Sequence, residues 1–306
     1  MVGSLDDDQL ELVRTSVRHV IESSASADLA AALSDQGWRD MVEADAAAAF
    51  ITLSEEAGRT RSAAPVIDLA MVWAAGCGAD AAIDTAVVVN GCAFAGATRA
   101  KQFLVVDDDE LRFVDAKAVT LTSAAGFDPG LGLSSASFDS AQATSFGDAA
   151  LAARTVAAGR RALASQMIGG AEQMLSVTIE YVTQRHQYGR PIGSFQAVKH
   201  RLAEVQVAIT AARAVVRTAW EVADPADGET VAIAAKCAAG RAQQLASTHC
   251  FQVHGGIAFT VEHGFQQWVK RGLMLDLLLG SHDALIVELG RQLISRRTVL
   301  RYPQLF

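Results

Sequence analysis

Residues 185–196 read RHQYGRPIGSFQ: two arginines, two glutamines, two glycines, a proline, a tyrosine and a phenylalanine within one break between helical patterns. A single glycine or proline is enough to end one helix and begin another, so the surplus polar chemistry needs its own explanation. Arg185 falls where a helix closes. A guanidinium there can compensate the helix dipole or grip a phosphate through paired N–H donors. Tyr188 offers a flat face, and Gln187 and Gln196 can each donate and accept a hydrogen bond. A second break, QVHGG at Gln252–Gly256, sets adjacent glycines at a helix end. Gly255 and Gly256 let backbone approach a ligand closely, and exposed N–H groups suit a pyrophosphate. Taken singly, each has a plainer reading: dipole compensation for the arginine, a C-cap for the glycines, a packed surface histidine for His254. Individually none of these decides what the junctions hold.

Other chemistries fit poorly. His249 and His254 are five apart rather than the four that would put two ligands on one helix face, and no Cys–His group has zinc spacing. Ser281-His282-Asp283 has the letters of a triad, but consecutive residues cannot face one another as a triad does. Cys77, Cys92, Cys237 and Cys250 are scattered without a C-x-x-C pair, which predicts free thiols in a reducing compartment. A net charge of −8 argues against nucleic acid or an anionic membrane as partner. The acidic start MVGSLDDDQLELV lacks the basic and apolar regions of a secretory signal. The apolar stretch 63–97 is broken by Asp68, Asp80 and Asp84, short of a membrane span. The expectation is a cytoplasmic protein.

The elements that must position these residues fall in three zones. Residues 6–80 read as helices: Asp6, Asp7 and Asp8 favour a helix N-terminus, and Leu10, Val13, Val17, Val20 and Ile21 recur at helical spacing. DQGW at Asp35–Trp38 marks a break; Ala44–Ala57 is helix-forming again, with its stop predicted at Gly58 and Pro65 beyond it. Residues 85–147 change character. TAVVVNG, KQFLVV and ELRFVDA are short strands separated by Asn90-Gly91 and Asp107-Asp108-Asp109, and GFDPGLGLSS reads as a loop. A small antiparallel region of this size is near the lower limit for its own core, so it should pack on the helices. From Asp148 onward helices are predicted near 150–182, 195–222, 229–253, 262–279 and 282–297, with breaks at RHQYGRPIG, ADPADGE and HGGIAFT, as in a helix bundle.

With those elements in order, RHQYGRPIGSFQAVKHRLAEV resembles the R-x-x-F-G-x-P-I-x-x-F-Q segment of the flavin-dependent acyl-CoA dehydrogenases. QVHGGIAFTVEHGFQQWVKR resembles that family's Q-x-x-G-G-x-G-[YF]-T-x-E segment, with a basic residue following. LSEEAGRTRSAAP is similar to its E-E-x-G-R segment, and KQFLVVDDDELRFVDA with GFDPG to the second half of its middle β domain. The resemblance implies a mostly α fold with a small β region: an N-terminal helical domain (1–84), a truncated middle β domain (85–147) and a C-terminal four-helix-bundle domain (148–306). It also implies FAD, whose ADP half the bundle of one subunit holds for its neighbour. Arg185 would then contact the pyrophosphate. Gln187, Tyr188 and Gln196 would line the adenosine side, and Gln252, Gly255 and Gly256 would complete the cradle.

The sequence departs from the family where the chemistry is done. A member abstracts the α-proton of an acyl-CoA with a carboxylate beside the flavin. At one of the family's two base positions this chain has Leu279, in MLDLLLGSHDAL, and at the other Gly159, in TVAAGRRAL. No P-x-x-G-S-D segment and no W-x-x-x-K-x-[FY]-I-[TS] segment, which hold the flavin ring in the family, lies between Gly58 and Gly147. The resemblance therefore implies a non-catalytic subunit sharing FAD with a larger catalytic partner in an α2β2 assembly. Such assemblies desaturate bulky, steroid-derived acyl-CoA substrates and pass electrons to an electron-transfer flavoprotein. Two alternatives stand beside it: an active homo-oligomer using Asp276 or Asp283 as base, and a flavin-free scaffold of the same fold.

Overall fold

The computed structural model describes residues 7–23, 32–33, 35–107, 109–124, 126–222 and 228–296. Asp6, Asp108, the side chain of Leu10 and most of the ADPADGE break lie outside them. The N-terminal layer holds α1 (Asp7–Ser23), α2 (Trp38–Thr60), α3 (Val66–Ala74) and α4 (Gly78–Asp84). Val17, Val20 and Ile21 of α1 are buried, as the periodicity predicts.

Helix α2 corrects one expectation. It starts at Trp38 but is interrupted at Asp45 (φ −153°, ψ 88°), whose carboxylate accepts from Ala48 N at 2.9 Å, so the stretch expected from Ala44 is a helical segment of its own. That segment runs through Gly58 to Thr60, with Arg61 as its left-handed C-cap at φ 55°. Gly58 is not a stop but a contact. A Cβ there would lie 1.9 Å from the backbone oxygen of Gln166 on α5 (Ala149–Gln184), and a Cβ at Gly169 of α5 would lie 1.9 Å from the Glu55 oxygen. The two helices touch backbone to backbone because both positions lack side chains. Around that crossing sits a buried ion network. Glu55 accepts from Arg14 (3.3 Å) and Arg213 (3.0 Å), Glu56 pairs with Arg18 (2.8 Å), and Glu172 accepts from Arg59 (2.6 Å) and Arg213 (3.0 Å). The EEAGR segment is thus structural, tying α1 and α2 to the bundle. Burial raises the Glu55 carboxyl above its ordinary range, against the pull of Arg213 and Arg14.

A seven-stranded sheet follows, β1 (Thr85–Val89), β2 (Cys92–Ala93), β3 (Gln102–Val106), β4 (Glu110–Asp115), β5 (Thr120–Ser123), β6 (Ser134–Ser137) and β7 (Thr144–Asp148), in spatial order β5-β6-β2-β1-β3-β4-β7. The sheet is mixed, not antiparallel throughout: β1 and β3 pair in parallel, Val87 opposite Leu104, because the chain crosses over through Ala97–Arg99 between them. β6 also takes up Ser134 and Ser135, the end of the stretch expected to be a loop. Asn90 and Gly91 turn β1 into β2 with φ of 51° and 73°, the hairpin geometry that Asn-Gly favours. Alternation puts Val87, Leu104, Val106 and Leu111 on the helices and Ala86, Val88, Phe103, Val105 and Val114 in a second core on the far face.

Asp148 caps α5, its carboxylate accepting from Leu151 N at 2.9 Å. Helices α6 (Gln196–Glu221) and α7 (Gly228–His254) pack with α5, α8 (Gln266–Leu277) packs on α5 and α7, and α9 (His282–Arg296) packs on α7. No helix among the described residues is long and apolar enough to cross a membrane.

Candidate functional site

The two polar junctions meet at one end of the bundle. Helix α5 ends at Gln184; Arg185 N donates to Tyr181 O at 2.9 Å and Arg185 O accepts from Ile192 N at 2.8 Å. This fixes the backbone of Arg185 while its side chain remains exposed, without a hydrogen-bond partner among the described residues. The chain then makes a short hairpin, β8 (His186–Gln187) against β9 (Arg190–Pro191), through Tyr188 and Gly189 at φ of 54° and 77°. Tyr-Gly is a weaker turn signal than Asn-Gly, and the sequence reading missed this hairpin. It leaves Tyr188 93% exposed, its ring presented outward, while Arg190 rests over the Phe195 ring at 4.2 Å. Gln187 and Gln196 are exposed on the same hairpin and at the first residue of α6.

At the end of α7, Gln252 is exposed, Gly255 has φ 65°, and a Cβ on Gly255 or Gly256 would meet open space. His254 departs from its expected surface position. It is 4% exposed and stacked on Tyr181, ring centroids 4.4 Å apart. Its Nε2 is 3.1 Å from Thr178 Oγ1. Burial, reinforced by the neighbouring His263, pushes its pKa down to about 4, so the ring is neutral. Thus Arg185, Gln187, Tyr188 and Gln196 share one end of the bundle with Gln252, Gly255 and Gly256. The arrangement offers an unpartnered guanidinium, an open aromatic face and a glycine turn, and it suits the ADP half of FAD.

The other two positions singled out by the resemblance are in direct contact. A Cβ on Gly159 would lie 2.6 Å from Leu279 Cδ1 and 2.7 Å from Met71 Sδ, so both side chains fill the notch the glycine leaves. The segment carrying Leu279 is held by buried cations. Lys236, fully buried, donates to Asp276 O at 2.7 Å and Gly280 O at 2.6 Å, and Arg160 Nε donates to Leu279 O at 3.1 Å. Desolvation lowers Lys236 to about 8 and also lowers Arg160. Leu279 and Gly280 both take positive φ, 55° and 98°. Asp276 accepts from His282 N at 3.1 Å and stands 2.8 Å from His282 Nδ1, whereas the Asp283 side chain is 85% exposed. At these two positions, which the resemblance likens to the family's base positions, the chain has packed alkyl side chains. The residues at the two junctions fit the ADP half of FAD, and neither Gly159 nor Leu279 carries a group that could take up a proton.

Residues 149–294 match the acyl-CoA dehydrogenase C-terminal domain. Acyl-CoA dehydrogenase IpdE2 of Mycobacterium tuberculosis is 48% identical over 109 residues, 36% of this chain and 33% of that relative. Acyl-CoA dehydrogenase FadE27 of the same species is 31% identical over 202 residues, 62% of this chain and 52% of that relative. The chain therefore spans between a third and about half of these relatives' length. In fold the likeness extends further. The Tcur3481–Tcur3483 steroid ACAD aligns with a TM-score of 0.78 at 21% identity, over 95% of this chain and 99% of that one. A chain of the ChsE4–ChsE5 complex from Mycobacterium tuberculosis aligns with 0.77 at 20%, over 98% and 100%. Residues 149–294 thus form an acyl-CoA dehydrogenase C-terminal domain, and the chain has the fold of solved acyl-CoA dehydrogenases over nearly its whole length.

Proposed function

We propose that this chain is the non-catalytic partner in a heteromeric FAD-dependent acyl-CoA dehydrogenase, contributing the ADP-side half of a site whose reacting half lies on a larger subunit. The observation that carries this reading is the Gly159–Leu279 contact. Desaturation needs a group that removes the α-proton of the thioester, and an alkyl side chain cannot accept one. FAD, when bound, supplies the hydride acceptor. The part played by this chain is to bind and orient: Arg185 toward the pyrophosphate, Gln187, Tyr188 and Gln196 along the adenosine, Gln252 and the backbone of Gly255 and Gly256 closing the turn. Division at 1–84, 85–147 and 148–306 assigns that task to the C-terminal part.

The substrate class is a bulky, steroid-derived acyl-CoA, supported by the descriptions of the structural neighbours as a steroid ACAD and as a two-component complex. The assembly is α2β2 and cytoplasmic, with acyl-CoA bound mainly by the partner and an electron-transfer flavoprotein as acceptor. Flavin content and native mass, measured on complex captured from the native host through a tag on this chain, test the reading. The expected result is one flavin for two chains, with a larger second polypeptide present. One flavin per chain in a homo-oligomer overturns it and makes Asp276 and Asp283 the first residues to mutate.

A further inference from the structure

Two junctions that are distant in sequence can grip one ligand only if their separation is fixed, and the Tyr181–His254 ring pair joins the helix ends that carry them. Tyr181 accepts the Arg185 N–H through its backbone oxygen at 2.9 Å, and its ring stacks on His254 at 4.4 Å with 24° between planes. His254 is the last residue of α7, immediately before Gly255. The imidazole is oriented from the other side as well. Thr178 Oγ1 spends its only proton on Met174 O at 2.6 Å, so its 3.1 Å contact with His254 Nε2 requires the ring to donate from Nε2. Nδ1 is then a bare acceptor, buried and without a partner among the described residues. Phe265 at 4.5 Å and His263 at 4.7 Å close the box. A leucine or phenylalanine would pack there without the cost of a buried, unsatisfied nitrogen. Packing alone therefore does not account for a histidine.

We infer that Tyr181 and His254 are positioning residues, a two-ring clamp that sets the distance between Arg185 and the Gly255–Gly256 turn. The inference rests on the reading that this end of the bundle holds the ADP half of FAD. In the clamp, the Thr178 hydrogen bond fixes the ring plane of His254, and the ring stack holds the last turn of α5, whose Tyr181 carbonyl takes the Arg185 N–H, against the end of α7.

The test compares the captured complex carrying His254→Leu, His254→Gln, Tyr181→Leu or Arg185→Ala, with two readouts: the rate of FAD release on dilution, and the melting midpoint and subunit composition. His254→Leu and Tyr181→Leu are expected to release flavin roughly tenfold faster, with subunit composition unchanged and the midpoint moving no more than it does in His254→Gln. His254→Gln, whose amide can still donate to Thr178, is expected to restore most of the retention. The double Leu variant should be no worse than either single one. If His254→Leu keeps flavin like the parent while Arg185→Ala loses it, the clamp is wrong and the dinucleotide reading stands. If Arg185→Ala also keeps it, that reading fails first. A midpoint that falls in step with flavin loss, without rescue by Gln, reduces the pair to fold stability and overturns the inference. Should His254→Leu not assemble, Tyr181→Leu decides by the same two readouts.

Discussion

Gly159 lies inside a long helix, where replacing glycine by alanine ordinarily stabilises by about 1 kcal/mol. Here the new methyl would enter space held by Leu279 and Met71. Gly159→Ala is therefore expected to destabilise by about 1–3 kcal/mol in denaturant titration, and in a Leu279→Ala background the same change should cost less by at least about 1 kcal/mol. Equal costs in both backgrounds would show that the two residues do not share the notch. Asp68 carries a second prediction. It is buried, takes Val87 N at 2.8 Å and Gly96 N at 3.3 Å, and burial raises its carboxyl to about 7 despite those donors. A carboxyl whose folded pKa is raised keeps its proton in the folded chain after the unfolded chain has lost it. Its stabilisation is full below the unfolded value near 3.8 and is lost as pH rises through about 7. Unfolding free energy should accordingly fall by up to about 1.4 kcal/mol per pH unit between those values, with Glu55 adding in the same direction. Asp68→Asn has no proton to lose, and its stability profile should be flatter across that window; an unchanged slope would place the titration elsewhere. The absence of an acid at Gly159 and Leu279 was legible in sequence, but their contact was not, since 120 positions separate them along the chain.

At the scale of elements, the crossing of α2 and α5 is decided by two glycines of which one was misread. Gly58 followed by a downstream proline has the form of a helix stop, and local sequence offers no sign that a second helix backbone lies against it. Gly58→Ala would press a methyl against the Gln166 carbonyl, and backbone, unlike a side chain, cannot rotate away. The expected loss is at least about 3 kcal/mol, read as a lowered denaturation midpoint. A change within about 0.5 kcal/mol would mean that the helices are less close than described. The strands show the converse. Their β-branched runs and the Asn90-Gly91 turn were readable because both signals are local. The parallel pairing of β1 with β3 was not, because parallel order is set by the path of the crossover, not by composition.

For the whole molecule, the expectations concern what it holds and with whom. Arg185→Ala should weaken FAD retention by the captured complex with little effect on folding, because the side chain is exposed and makes no contact that the fold needs. Unchanged flavin content would misplace that arginine. Leu279→Glu should give no turnover in the isolated chain, since one carboxylate does not supply a ring site; turnover would overturn the half-site reading.

The sequence by itself determined the helical and strand zones, the concentration of polar and glycine residues at two junctions, and the lack of a carboxylate at Gly159 and Leu279. Each of these is written in residue type and short-range spacing, which local physics reads directly. Only the tertiary structure decided that Tyr181 and His254 join the junctions, that Leu279 fills the Gly159 notch, and that EEAGR is a buried ion-pair node. Those facts depend on which surfaces are left facing each other once the core has closed. Packing at van der Waals distance, and the cost of leaving a buried polar group unpaired, select such partners across the fold with no regard for their distance along the chain.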